Sequence, residues 1–206
     1  MEDSGLLILV RHGQSEWNQK NLFTGWKDPD LTKKGIEEAN KAGILLSSLN
    51  FKFDLMFTSD LKRAQNTGKI ILNHMQQEDL RTIKNKALNE RDYGDLSGLN
   101  KDEARQKWGD DQVYRWRRSF DEPPPGGESL KDTAERVLPF YNQNILPHIL
   151  NQKNILIAAH GNSLRALLMN LRSLSPSEIL KVEIATGEPI AFAVKGQGQI
   201  SEIYLS

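Results

Sequence analysis

Two unbroken apolar runs, each closed by a histidine and a glycine, restrict this chain more than any other feature of its 206 residues. Leu6–Leu7–Ile8–Leu9–Val10 leads into Arg11–His12–Gly13, and Ile155–Leu156–Ile157–Ala158–Ala159 leads into His160–Gly161–Asn162. A short run with no polar alternation reads as a fully buried strand. In open α/β sheets ligands bind off the carboxyl ends of such strands. Gly13 permits a tight turn or a close backbone approach there, and Ser15 is placed to cap the segment that follows. One Arg-His pair alone reads as readily as a solvated strand end. A second strand that also ends in a histidine and a glycine points to one site holding both His12 and His160.

The remaining chain supplies helices and loops around these strands. Trp17 to Asp30 is polar, holds Gly25 and Pro29, and reads as a loop of the kind that carries binding groups. Thr32 caps a helix with Ile36, Ala39, Gly43 and Leu46 on one face. Asp54–Thr58 is a short strand, and Ser59 is read as the cap of the next helix, with Leu61, Ala64 and Ile71 inward. Arg63 falls in that helix's first turn, where the helix dipole disfavours a cation. Solvent or a bound anion must offset it, and its place just past a strand end favours the anion.

Residues 88–127 are polar and glycine-punctuated, and read as a lobe over the sheet's carboxyl edge. Within them Asn100 and Glu103 form a capping box for a helix from Lys101 to about Trp108. Asp111 to Arg118 is helical, and Pro123–Gly127 is a rigid break. Ser129 caps a long helix carrying Leu130, Ala134, Val137, Tyr141 and Ile145, kinked or interrupted at Pro139 and Pro147. A helix from about Asn162 to Leu171 starts beside His160, and Ser175–Pro176 opens a short one. Ile190–Lys195 and Ile200–Leu205, around Gly196–Gln197–Gly198, read as an antiparallel hairpin. His74 and His148 read as surface helix residues.

Composition narrows the chemistry. Cysteine is absent, which removes thiol nucleophiles and cysteine-bound zinc, and the four histidines lack the H-E-x-x-H spacing, so no metal site is expected. Lys+Arg and Asp+Glu stand at 27 each, giving no overall field for nucleic acid or an anionic membrane. No apolar run nears the about 18–20 residues of a membrane span. Met1–Gly5 has no signal-peptide pattern, so a cytoplasmic chain is expected.

A site built from His12, His160, Arg11 and Arg63 suits phosphoryl transfer. Guanidinium groups match tetrahedral oxyanions through paired charge-assisted bonds. An imidazole among such cations stays neutral near pH 7 and keeps a free lone pair. Facing an electrophilic phosphorus, it is a nucleophile. The arginines and the second histidine would stabilise charge on the transferring group in place of a metal. Glu90, in an irregular segment beside Arg91, is the best candidate for the accompanying proton transfers.

Leu9–Val10–Arg11–His12–Gly13 together with His160–Gly161–Asn162 resembles the histidine phosphatase superfamily. Phe23–Thr24–Gly25–Trp26, Asn89–Glu90–Arg91 with Tyr93–Gly94, Gly98–Leu99–Asn100–Lys101, Trp116–Arg117–Arg118 and Ala159–Ala166 resemble the cofactor-dependent phosphoglycerate mutases, in order over nearly the whole chain. The resemblance implies one domain, residues 1–206, folded as a three-layer α/β/α sandwich. Its central sheet would be mainly parallel with one antiparallel edge strand. It implies His12 as the phosphorylated nucleophile, Glu90 as proton donor and acceptor, and Arg11, Arg63 and His160 as the grip on the transferring group. Ser15, Asn18, Thr24, Gly25, Arg91 and Tyr93 match positions that hold the rest of the substrate, as do Lys101, Arg117, Arg118, Gly161 and Asn162. Interconversion of 3- and 2-phosphoglycerate, primed by 2,3-bisphosphoglycerate without a metal, is the implied activity. An exposed edge at Asp54–Thr58 would suit a homodimer, as in family members.

Two departures stand out. Gln14 replaces the family's usual Glu, keeping size and hydrogen bonding but losing a charge. The Pro123–Gly127 connection lacks most of the insertion found in longer members, which predicts a mouth more open to water. The nearest rival is therefore a histidine phosphatase that hydrolyses a small phosphorylated metabolite, against which the Arg117–Arg118 pair argues. A non-catalytic anion-binding module would not need Glu90.

Overall fold

The computed structural model describes residues 5–195 and 199–205; Gly196–Gln197–Gly198, read from the sequence as the hairpin link, lies outside them, as do residues 1–4 and 206. Strands β1 (Gly5–Arg11), β2 (Leu55–Thr58), β3 (Thr82–Lys84), β4 (Ile155–Ala159), β5 (Pro189–Lys195) and β6 (Gln199–Ile203) form one sheet, ordered β3-β2-β4-β1-β5-β6. β1, β2, β3 and β4 pair in parallel, and β5 pairs antiparallel with both β1 and β6. The sheet is thus mainly parallel. Its one reversed strand, β5, stands beside the edge, and β6 takes the edge itself.

Alternation along β1 builds the layers, because successive side chains leave a strand on opposite faces. Leu7 and Leu9 enter a core with Val137, Tyr141, Leu164 and Leu167. These come from α6 (Leu130–Phe140), the π-helical turn Tyr141–Ile145 and α8 (Gly161–Leu171). Ile8 and Val10 enter the opposite core with Ala42, Leu46, Ile71 and Leu72, from α2 (Lys33–Ser47) and α3 (Lys62–His74). A third cluster, Phe23, Leu96, Ala104, Val113 and Trp116, lies under α4 (Lys101–Trp108) and α5 (Asp110–Arg118). It supports the segment read as the lobe.

Several local expectations need correction. The Asp54–Thr58 strand is no edge, because β3 covers it; three short, partly exposed residues gave β3 no apolar run to be read from. Leu61, not Ser59, is the N-cap of α3, and no side chain caps it. Ser59 Oγ accepts from Leu61 N at 3.2 Å, and its other contact belongs to the site. Ile36 is 43% exposed, and Ala42 takes the inward position on α2. Pro139 stays inside α6, and the break comes after it as the π turn; α7 (Leu146–Leu150) then starts with Pro147 in its first turn. His74 and His148 are half-buried, His74 bonded to Asn40 Oδ1 at 2.8 Å and His148 stacked near Phe57.

One backbone contact fixes the loop after β1. A Cβ on Gly13 would stand 2.1 Å from Gly35 O, and one on Gly35 would stand 2.1 Å from Gln14 O. The Arg-His-Gly turn therefore sits on the first turn of α2 with no side chain between. Gly35→Ala is expected to cost about 1–3 kcal/mol in urea unfolding through overpacking, while Ile36→Ser on the exposed face stays within about 0.5 kcal/mol. Equal effects at the two positions would refute the tight contact.

Candidate active site

Three neighbouring strands deliver the central groups from their carboxyl ends. His12 follows β1, His160 follows β4, and Arg63 lies in the first turn of α3 after β2. Both rings are buried, with centroids 5.0 Å apart and planes at 60°. His12 Nδ1 lies 2.7 Å from the Gly13 carbonyl oxygen, which can only accept, so Nδ1 carries the proton and Nε2 the lone pair. Arg63 Nε points at that Nε2 from 3.4 Å, and the same guanidinium donates to Gly25 O at 2.9 Å and Lys27 O at 2.8 Å. His160 Nε2 meets Ser59 Oγ at 2.7 Å.

Burial, then Arg63 and Arg11, hold His12 well below the ordinary imidazole value of 6.5. His160 is also lowered well below that value, by burial, then Arg63 and His12. Burial draws Arg63 down to about 10 against the pull of Glu90 and Asp28, so it remains charged at neutral pH. The result is a pair of neutral imidazoles set among permanent cations.

His12 and Arg63 open onto a cavity of about 230 Å³, whose wall also holds Arg11 and Glu90. Glu90 Oε1 accepts from Arg91 N at 2.8 Å and from Asn162 N at 3.0 Å, which fixes the carboxylate beside the start of α8. Tyr93, Lys101, Arg117 and Arg118 line the cavity too, as do Asn18, Thr24, Gly161 and Asn162. Burial lowers both Lys101 and Arg117.

Four expected contributors are not in the wall: His160 lies beside His12 and meets Ser59, and three others have different partners. Ser15 caps α1 (Glu16–Gln19) through Asn18, Gly25 lends only its carbonyl to Arg63, and buried Arg91 lies 4.8 Å over the Tyr93 ring. Gln14 is turned away from the cavity, its Oε1 accepting from Thr32 Oγ1 at 2.9 Å, so the missing family charge is not at the reacting end.

Other residues were not anticipated. Arg136 donates to the carbonyls of Ala87 at 2.8 Å and Glu90 at 2.9 Å while held by Glu128 at 2.7 Å. Trp26 Nε1 donates to the same Glu90 carbonyl at 2.7 Å. Nothing in the local pattern singles out Arg136. Arg165 and Glu183 also line the cavity. Arg165 did carry a signal, since it lies one turn inside the helix that starts at the second His-Gly.

Arg11 Nε, Arg91 Nε and His160 Nδ1 are buried without a hydrogen-bond partner among the described residues. Buried polar atoms are costly to leave unpaired. Arg11 lines the cavity, so its free Nε, with the neutral His12 imidazole beside it, matches an oxygen of an oxyanion and a nucleophilic attack on its centre.

The histidine phosphatase superfamily (branch 1) matches residues 7–203 of the chain. A 2,3-bisphosphoglycerate-dependent phosphoglycerate mutase from Bradyrhizobium sp. (strain ORS 278) is 63% identical over 195 residues, covering 95% of this chain and 94% of its own. Another, from Xanthobacter autotrophicus, is 61% identical over 197 residues, covering 96% and 95%. Among solved structures, the alpha-ribazole phosphatase from Shigella flexneri superposes with a TM-score of 0.83 at 26% identity, over 97% of this chain and 95% of that one. The fold is shared with a phosphatase, and the sequence is much more similar to the two mutases.

The neutral imidazoles have a measurable consequence. Below their ordinary value of 6.5 the unfolded histidines bind protons that the folded ones refuse, so stability rises with pH in that window. The contribution is complete above 6.5 and is lost as pH falls toward the depressed folded values. Urea unfolding between about pH 7 and 5 should show this slope, and the double variant His12→Gln/His160→Gln should flatten it. An unchanged slope would contradict burial of neutral rings.

Proposed function

The chain belongs to branch 1 of the histidine phosphatase superfamily, and on that premise we propose that it interconverts 3- and 2-phosphoglycerate through a phosphohistidine on His12. This is the mutase step shared by glycolysis and gluconeogenesis. One observation carries the reading beyond the likeness to named mutases: the cavity wall holds two sets of cations. Arg11 and Arg63 are the set that acts on His12, and Lys101, Arg117 and Arg118 are the second. A phosphatase needs only the first. A phosphoglycerate brings a phosphate and a carboxylate, and engages both.

Each residue has a definite task in this scheme. The Gly13 carbonyl keeps the His12 proton on Nδ1, so Nε2 attacks phosphorus. On the primed enzyme, Glu90 takes the proton of the substrate's free hydroxyl, whose oxygen attacks phosphorus while the N–P bond breaks, so that both oxygens of the glycerate are phosphorylated. In the second half, Nε2 attacks the other phosphorus, the N–P bond forms as that P–O bond breaks, and Glu90 returns its proton to the freed oxygen. Arg11, Arg63 and His160 hold the phosphoryl oxygens throughout, and their charges are set before the reaction begins. Asn162, Tyr93 and Lys101 orient the glycerate portion. The unpaired Nε of Arg11 and the cations of the wall also suit 2,3-bisphosphoglycerate, which when bound supplies the priming phosphoryl group.

The shortened Pro123–Gly127 connection does not hang free. Pro125 O accepts from Asp95 N at 2.9 Å, and Asp92 O from Glu128 N at 2.8 Å, tying it to the Glu90–Asp95 segment. This supports transfer to a hydroxyl over loss to water. No helix among the described residues is long and apolar enough to cross a membrane, and the cytoplasm is the proposed compartment for a metabolic enzyme of this kind.

The test follows 3-phosphoglycerate turnover with and without catalytic 2,3-bisphosphoglycerate, reading 2-phosphoglycerate and free phosphate separately. Isomer formation should depend on the bisphosphate and greatly exceed phosphate release. His12→Ala should abolish turnover by at least about a thousandfold and acid-labile protein labelling with it. Glu90→Gln should lose about 10²–10⁴-fold in turnover. Free phosphate as the main product would replace the mutase with a phosphatase.

A further inference from the structure

The two carboxylates in the cavity wall differ sharply. Glu90 is buried and committed to two backbone amides. Glu183 keeps 66% of its side chain exposed, yet reaches Arg118 Nη2 at 2.8 Å with one oxygen and Arg165 Nη2 at 3.2 Å with the other. It places a negative charge inside a cavity otherwise suited to take up anions.

The backbone on either side of Glu183 is tied down while its side chain is not. Arg165 Nε donates to Val182 O at 2.9 Å, and Arg11 Nη1 donates to Ile184 O at 2.7 Å. Arg165 is also steadied by Asn162 Oδ1 at 3.4 Å, so its guanidinium keeps its place without Glu183. The carboxylate can therefore swing out to solvent while the loop and Arg165 stay fixed. An exposed ion pair of this sort is weakly held, and a ligand anion can exchange with it.

We propose that Glu183 is a tethered counter-anion, holding Arg118 and Arg165 until the second anionic group of an incoming phosphoglycerate displaces it. The identity of that ligand rests on the mutase reading; the displacement itself does not require turnover. Glu183 then limits the affinity for doubly anionic ligands and speeds their departure. A ligand with one anionic group, seated at His12, leaves the Glu183 pairs intact.

Titration calorimetry of the wild type and Glu183→Gln, with 3-phosphoglycerate and with inorganic phosphate, tests this alongside turnover. The variant should bind 3-phosphoglycerate about fivefold more tightly, the equivalent of two weak exposed pairs no longer broken on binding. Its KM should fall without a rise in kcat. Phosphate affinity should stay within about twofold, because charge at that distance is screened. Glu183→Ala should move in the same direction, which removes any contribution of the new amide. Weaker or unchanged 3-phosphoglycerate binding would make Glu183 a prop for the arginines and overturn the proposal. Equal tightening of both ligands would reduce it to net charge and overturn it too. Tighter binding without any turnover would defeat the mutase reading alone, turnover with unmoved affinity would defeat this one alone, and no binding of 3-phosphoglycerate to the wild type would defeat both.

Discussion

The parallel pairing of β1 with β4 is the contact on which the site stands. Its register ends at Arg11 opposite Ala159, and His12 N donates to Ala159 O at 3.0 Å. The two histidines therefore leave adjacent strands at one level, with their rings in contact distance. A slip of one residue would send His12 to the opposite face. Leu7 and Leu9 on one side and Ile8 and Val10 on the other oppose that slip, since each belongs to a different core. β2, on the far side of β4, adds Arg63 from a third consecutive strand end.

Buried cations are costly unless their donors are met. Here they are met chiefly by carbonyl oxygens. Arg63 uses those of Gly25 and Lys27, and Arg136 uses those of Ala87, Asn89 and Glu90 besides its Glu128 partner. A carbonyl satisfies a guanidinium without cancelling its charge. The positive field near His12 consequently survives, holds the imidazole neutral and remains available to an oxyanion. The same donors hold irregular backbone in place, so the segment carrying Glu90 needs no regular secondary structure to be fixed.

Much of this was legible in the chain because strong local patterns and tertiary packing agreed. The apolar runs of β1 and β4, the caps at Thr32, Asn100 and Ser129, and the two His-Gly ends all lie where they were read. The resemblance set Arg117 and Arg118 against the substrate, and the geometry brings both into the same cavity as His12. Legibility failed where a residue's partner lies far away in sequence. Ser59 looks like a helix cap until His160, 101 positions later, takes its hydroxyl. Arg136 looks like a helix-surface residue until the carbonyls near Glu90 fold over it. Glu183 lies in a segment with no periodic pattern, and its meaning depends on Arg118 and Arg165 arriving from two different helices.

Trp26 ties these levels together in a different way. Its indole nitrogen is bonded to the Glu90 carbonyl, Arg136 lies 5.7 Å over its ring, and 41% of the residue faces solvent. An indole poised between water and a cation changes its emission when either moves. One of the protein's four indoles is thus bonded to the backbone of its candidate acid, so the ordering of that loop alters part of the intrinsic fluorescence without any label.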